Sequence, residues 1–274
     1  MITASIVLYN TDVTQLRDTI NSYAPSAERI LYLIDNSEQE FNLNQLDIDL
    51  THVRYIFNNK NLGYGAGHNI AIRKVLDKNS QYHVVLNPDI RFDSQILNDL
   101  EEFMNHHDDT VYMLPKVIYP NGELQYLCKL LPSPIDLFAR RFFSSFVFSR
   151  TINDRYILKN SGYNRIINPP CLSGCFMFLR LDTIRQNDIF FDERFFMYME
   201  DFDLIRQLHR IGKTIFYPYV TIIHDHARSS YRSKKMLKLH IISAIKYFNK
   251  YGWFFDKERK VMNNKILKEI TEEI

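Results

Sequence analysis

Short apolar runs alternate with helical stripes along the N-terminal part of the chain. Ile2–Leu8 is rich in apolar and β-branched residues, and Tyr9-Asn10-Thr11-Asp12 stops it. Asp12 then stands as a helix N-cap before the stripe Val13, Leu16 and Ile20. Residues 30–34 form a second apolar run that ends in Asp35-Asn36-Ser37. Val53–Phe57 forms a third, which enters the loop Asn61-Leu62-Gly63-Tyr64-Gly65-Ala66-Gly67-His68-Asn69 ahead of a helix through Ile70, Ile72, Val75 and Leu76. Val84, Val85 and Leu86 are too few for a helix and too uniformly apolar for a half-exposed strand, so they predict a strand covered on both faces, as in a parallel sheet. Pro88 lacks a backbone donor and pushes Asn87 into an extended conformation, which leaves Asp89 just past the strand tip.

Repeated β-α units favour right-handed crossovers and a parallel sheet, which makes the fold class α/β. A helix is predicted over 94–106, then a hairpin over 111–126 turning at Pro120-Asn121-Gly122-Glu123. The pattern loosens over 127–167, where the Phe-rich stretch 137–148 reads either as core packing or as a surface touching lipid headgroups. Regular structure resumes with a strand over 171–179 and continues to Asp201. A helix over 202–211 follows, stopped by Gly212 as a C-cap, then strands over 214–217 and 220–223. Leu237, Ile241, Ile245 and Phe248 recur at helical spacing among Lys234, Lys235, Lys238, Lys246 and Lys250, which describes a basic amphipathic helix.

The chain has 274 residues, 46% of them hydrophobic, a soluble globular composition with ample length for a core. A formal net charge of +2 argues against a dedicated nucleic-acid binder, although the stretch from Arg228 to Lys260 is basic. No basic-then-apolar leader precedes Ile2 and no apolar run reaches the roughly 18 residues of a membrane span, so a cytoplasmic protein is expected. Cys128, Cys171 and Cys175 fit a reducing compartment as structural thiols, because Cys171 and Cys175 are too far apart for a C-x-x-C pair.

The glycine loop invites a dinucleotide-binding reading but fails on spacing, with His68 where a glycine or alanine is required. Glycines at 63, 65 and 67 still let backbone approach a ligand, or simply make a tight turn. Asp35 and Asp89 lie at strand tips that border one crevice in a parallel sheet. Asp89 suits a hard divalent cation shared with substrate phosphates, or merely ends a turn. Asp35 suits a nucleobase or ribose. His224 adds an imidazole at another tip, in competition with His226. Glu200 and Asp201 either cap the helix that follows or present a carboxylate that takes a proton from an incoming hydroxyl.

Taken together, Asn61-Leu62-Gly63-Tyr64-Gly65-Ala66-Gly67-His68-Asn69-Ile70, Leu86-Asn87-Pro88-Asp89, Ser173-Gly174-Cys175-Phe176-Met177, the run from Phe191 through Glu200-Asp201 to Leu204, and Ile223-His224 resemble the family 2 inverting glycosyltransferases of the GT-A fold. The resemblance runs in order from Ser5 to about Ser230 and is strongest to the rhamnosyltransferase-like branch of bacterial surface-polysaccharide synthesis. It implies a Rossmann-like, mostly parallel sheet flanked by helices, with a smaller antiparallel acceptor side. The implied domain spans 1–230, with a nucleotide-sugar half (1–120) and an acceptor half (121–230), and a helical extension over 231–274. Asp89 and His224 would hold Mn2+ or Mg2+, Asn87 standing where many members carry an acid, and Asp201 would be the catalytic base. Leu8, Tyr9, Asn10 and Asp35 would meet the base of the donor, with Asn61, Gly63, Gly67, Gly174 and Glu200 completing the substrate site. His68 and Ala71 depart from the usual residues and leave the donor open between dTDP-rhamnose and a UDP-hexose.

The implied acceptor is a lipid-linked oligosaccharide in O-antigen, capsule or related synthesis. A peripheral contact of the basic C-terminal helix with the cytoplasmic face of the inner membrane is expected with it. The competing reading is a non-catalytic scaffold that binds nucleotide sugars.

Overall fold

The structure is a computed structural model that describes residues 1–78, 80–137, 147–225 and 234–272. Eight strands form one sheet in the order β3-β2-β1-β4-β7-β6-β8-β5. They are β1 (Ile2–Leu8), β2 (Arg29–Asp35), β3 (Val53–Phe57), β4 (Tyr82–Leu86), β5 (Ile90–Arg91), β6 (Thr110–Ile118), β7 (Phe176–Arg180) and β8 (Lys213–His224). Described helices are α1 (Val13–Tyr23), α2 (Tyr64–Leu76), α3 (Ile96–Asn105), α4 (Val147–Tyr156), α5 (Leu181–Asn187), α6 (Glu200–Ile211), α7 (Lys234–Tyr251) and α8 (Lys257–Glu272).

The first four strands pair in parallel around β1, joined by α1 and α2 as crossovers. β4 is buried along its whole length, as an apolar run covered on both faces must be. β7 inserts antiparallel between β4 and β6, and β5 pairs antiparallel with the end of β8. This is the α/β architecture of mixed sheet and flanking helices that the resemblance implies. The predicted hairpin forms beyond β6: Tyr119 N–H donates to Glu123 O, Gly122 sits at φ 86°, and Leu124 bridges back to Ile118.

Several expectations are corrected. Only the second half of the 171–179 run is a strand, because Cys171 makes a single bridge to Lys129 and a turn at Gly174-Cys175 follows. The two strands expected over 214–223 are one, β8, whose register against β6 shifts between Pro115 and Lys116. Helix α6 starts at Glu200, before Phe202; Gly212 is its C-cap as expected, donating to Leu208 O, but is extended at φ −170°. What requires glycine there is a neighbour, since a Cβ would lie 2.3 Å from Val111 Cγ1. The apolar stripe of α7 does not face inward as a unit: Phe248 is buried with Tyr247 and Ser243, whereas Ile241 and Ile245 are exposed. The C-terminal helices nevertheless belong to the packed body, with Ile266 and Ile270 in the main core and Arg206 of α6 in a buried bidentate pair with Asp256 at 2.7 Å. Residues 138–146, 226–233 and so His226 lie outside the described residues, as does much of the Phe-rich stretch.

Candidate active site

The site grows from the register of two short strands. Ile90 of β5 sits opposite His224 at the end of β8, so the residue before Ile90, Asp89, comes beside the imidazole. Thr19 of α1 fixes that turn by donating to Pro88 O at 2.7 Å and accepting from Ile90 N–H. His224 Nε2 then lies 3.5 Å from Asp89 Oδ1. Nδ1 faces Gln125 Oε1 at 3.0 Å, while Gln125 Nε2 donates to the His224 carbonyl. That amide oxygen accepts from Nδ1–H and leaves Nε2 toward the carboxylate, as partners of metal-binding histidines do.

These residues fit a divalent cation. Asp89 Oδ1 is buried without a hydrogen-bond partner and faces Nε2. Two lone pairs opposed there repel, so the pair needs a proton or a cation between them. Burial works against charge on His224, yet the Cys175 sulfur and the Asp89 carboxylate outweigh it and push the imidazole up to about 10. Among the described residues no cluster of three or more His, Cys, Asp and Glu is arranged around an ion. Two protein ligands suit a cation that takes its remaining oxygens from phosphates and water.

Asn87 ends β4 and links this corner to the carboxylates of α6. Its Nδ2 lies 3.4 Å from His224 Nε2, and its Oδ1 accepts from the Tyr64 hydroxyl at 3.0 Å. The same hydroxyl lies 2.7 Å from Gly174 O, and Gly174 N–H donates to Asp201 Oδ2 at 3.3 Å. Burial, followed by the charges of Cys175, Glu200, Asp201 and Asp89, pushes the Tyr64 phenol well above its usual range. Asp89, His224 and Asn87 are therefore linked through Tyr64 and Gly174 to Asp201, with Glu200 next to it in the chain, one connected cluster that forms the candidate cleft.

Asp201 does not occupy the N-cap position. Its Oδ1 accepts from Phe202 N–H at the first turn of α6, but the N-cap position is Met199, which together with Tyr198 is held at positive φ. Two consecutive non-glycine residues in the left-handed region cost energy and mark a constrained approach to the helix. Burial raises the Asp201 carboxyl above its ordinary range, with Lys129 pulling the other way. Burial, then the Asp201 charge, raises neighbouring Glu200 well above its own, and Glu200 Oε2 has no partner.

The other expected site residues lie apart from this cluster, and several make contacts within the chain. Asp35 is 0% exposed and spends its carboxylate on Ser37 N–H, Phe41 N–H and the Tyr55 hydroxyl, so it folds the loop after β2 and does not reach into the cleft. Leu8 is buried and its carbonyl accepts from Asn36 N–H, leaving Tyr9 and Asn10 at the surface. The glycines let the chain pack on itself: a Cβ would lie 2.3 Å from Phe196 O at Gly63 (φ 89°) and 2.6 Å from Val7 at Gly67. Asn61 accepts from Gly63 N–H and so shapes that turn. His68 is also interior, its Nδ1 2.7 Å from Ser5 Oγ, which itself lies 2.8 Å from His83 Nε2. Tyr64, Gln125, Cys175 and Lys129 were not expected as site residues, although Tyr64 and Cys175 lie inside the motifs that carry the resemblance and the hairpin signal around Asn121-Gly122 delivers Gln125.

A mixed sheet of this order, with Asp89 just past β4 and His224 at the end of β8, is the architecture of the GT-A fold. A model of glycosyl transferase family 2 matches residues 3–202, and the chain belongs to that family. It is 31% identical over 200 residues to the rhamnosyltransferase WbbL of Escherichia coli (strain K12), covering 68% of this chain and 69% of that protein. Among solved structures, residues 1–349 of S. aureus TarS superpose with TM-score 0.58 at 14% identity, over 97% of this chain and 70% of that one. GalNAc-T7, solved with UDP, GalNAc and Mn2+, superposes with TM-score 0.62 at 14% identity, over all of this chain and 58% of that one.

Proposed function

We propose that this enzyme transfers a sugar, with inversion, from a nucleoside diphosphate donor to a hydroxyl of a lipid-linked oligosaccharide in surface-polysaccharide synthesis, and that dTDP-rhamnose is the favoured donor over a UDP-hexose. The observation that supports it most is the chain of contacts from His224 and Asn87 through Tyr64 and Gly174 to Asp201, which joins a cation corner to a proton acceptor on one cleft. The likeness to a rhamnosyltransferase favours the donor.

Asp89 and His224 would hold Mn2+ or Mg2+, which supplies charge stabilisation to a departing diphosphate. The rest is the work of side chains. Asp201 takes the acceptor proton, and burial suits it to that task by raising its affinity for a proton toward the working pH. Gly174 N–H and Phe202 N–H hold the carboxylate in orientation. With the acceptor oxygen attacking opposite the leaving diphosphate, one in-line displacement inverts the anomeric carbon and needs no glycosyl-enzyme intermediate, unlike the retaining route of glycosidases. Tyr9 and Asn10, at the surface past β1, are the candidates to meet the nucleoside.

A thermal-shift panel of dTDP, UDP, GDP and their sugars, with and without Mn2+ or Mg2+, tests the reading. Selective, metal-dependent stabilisation by a thymidine or uridine diphosphate is expected; no stabilisation by any of them would overturn it.

A further inference from the structure

The outer face of α7 and the turn after it have no role in the cleft. Tyr247 and Phe248 bury against Phe195 and Met199, and Ser243 Oγ donates to Met197 O, so one side of α7 backs the segment that delivers Asp201. On the other side Lys234, Lys238, Ile241 and Ile245 recur at spacings of four, three and four, a single exposed face. Helix α7 contains no acidic residue. The face runs into the turn Trp253-Phe254-Phe255, where Phe254 is 69% and Phe255 96% exposed.

That turn is held rigidly from within. Gly252 allows it at φ 103°, and Asp256 is buried against Arg206 and accepts from Arg259 N–H. The Arg259 guanidinium donates to the carbonyls of Trp253, Phe254 and Pro132, and Trp253 Nε1 donates to Asn249 Oδ1. Among the described residues neither Phe254 nor Phe255 makes a ring contact with another aromatic side chain. The backbone is clamped so that two phenyl rings stand in water, a costly arrangement unless something covers them.

We infer that this face is a docking surface for an anionic lipid bilayer, with Phe254 and Phe255 inserting among the acyl chains and Lys234, Lys235 and Lys238 meeting phosphate headgroups. Charge and shape favour lipid: an acid-free basic helix lies beside an apolar tip, and an indole with a satisfied N–H sits at their junction, the pattern of in-plane interfacial binding. No described helix is long and apolar enough to span a membrane, so the contact is peripheral. Its purpose, presenting the cleft to a lipid-linked acceptor, rests on the function proposed above; the surface itself does not.

The chain has one tryptophan, Trp253, which makes its fluorescence a reporter of the tip. With vesicles of phosphatidylcholine and phosphatidylglycerol, co-sedimentation and a blue shift are expected, with quenching by brominated acyl chains and weakening in high salt. Phosphatidylcholine alone should bind poorly. Phe254→Ser with Phe255→Ser should lower partitioning at least about tenfold, and each Lys234→Ala or Lys238→Ala roughly fivefold. Melting temperature and nucleotide-induced stabilisation should be unchanged in these exposed variants. Equal binding to both vesicles, no quenching, or full binding by the Phe254/Phe255 variant would overturn the proposal. So would a vesicle-independent dimer that the variant abolishes, since a second copy would then be the occupant. If vesicle binding fails while nucleotides still stabilise the protein, the docking surface falls and the transferase reading stands.

Discussion

Replacing Tyr64 by phenylalanine removes one oxygen at the junction of the cleft. The phenol carries a single proton, shared between Gly174 O at 2.7 Å and Asn87 Oδ1 at 3.0 Å, in partly buried surroundings. The ring stays, so its packing against His68 and Phe191 is kept. Its loss leaves at least one acceptor without a donor, which costs about 1–3 kcal/mol. For a chain of this size that is a fall of roughly 3–10 °C in Tm. Gly174 N–H, which orients Asp201 Oδ2, loses its support, and a loosened base costs roughly ten- to a hundredfold in kcat. Nucleotide affinity should change far less, because the phenol is not among the residues expected to bind it. The assay is donor turnover alongside melting and nucleotide titration, with Asp201→Asn combined in a double-mutant cycle. If the hydroxyl acts through Asp201, the double variant is no slower than Asp201→Asn alone. Wild-type melting and wild-type turnover in Tyr64→Phe would refute the linkage.

Asp89→Ala should abolish the Mn2+ dependence of nucleotide binding, read by titration at fixed nucleotide; an unchanged metal midpoint would remove Asp89 from the ligand role. Because the Asp201 carboxyl is raised and must be ionised to accept a proton, turnover should fall as pH drops through that raised pKa, giving an acid limb above the ordinary aspartate range. Glu200 is raised further, so its folded form favours the protonated state: the stability this confers is present below its unfolded pKa and lost as pH rises through the folded one. Glu200→Gln, which never ionises, should therefore melt at or above wild type at neutral pH while turnover persists, as paired melting and rate profiles would reveal. Arg206→Met strands Asp256 without its bidentate partner and should destabilise by about 3–5 kcal/mol, seen as a lower denaturation midpoint.

Much of the fold was legible because it rests on local signals. β1 to β4 announce themselves as short apolar runs closed by polar stops, Asp12 caps α1 by accepting from Gln15 N–H at 2.9 Å, and Asn121-Gly122 marks a real turn. The insertion of β7 between β4 and β6 was not legible, since pairing partners far apart in sequence leave no periodic trace. For the same reason Tyr64 and Gln125 were not expected as site residues: their importance lies in what they touch. Asp89, His224 and Asp201 could be picked out by residue type and position at element ends. Asp35 looked equivalent to Asp89, yet β2 ends where the loop after it folds back, and three donors of the chain's own absorb its charge. The glycines of 63–67 suggested ligand approach, whereas the neighbours that come close are Phe196, Phe191 and Val7. On α7 spacing alone could not tell an inward stripe from an outward one.

The central claim is that Asp201 serves as the base for an acceptor hydroxyl that attacks a donor held at the opposite corner of the cleft. Asp201→Asn keeps the shape and the acceptance from Phe202 N–H while removing the proton acceptor, so nucleotide titration and turnover on the same sample separate the two corners. Nucleotide binding should stay within a few-fold of wild type while transfer falls roughly a thousandfold. Transfer at the wild-type rate, or loss of nucleotide binding in step with transfer, would contradict the account.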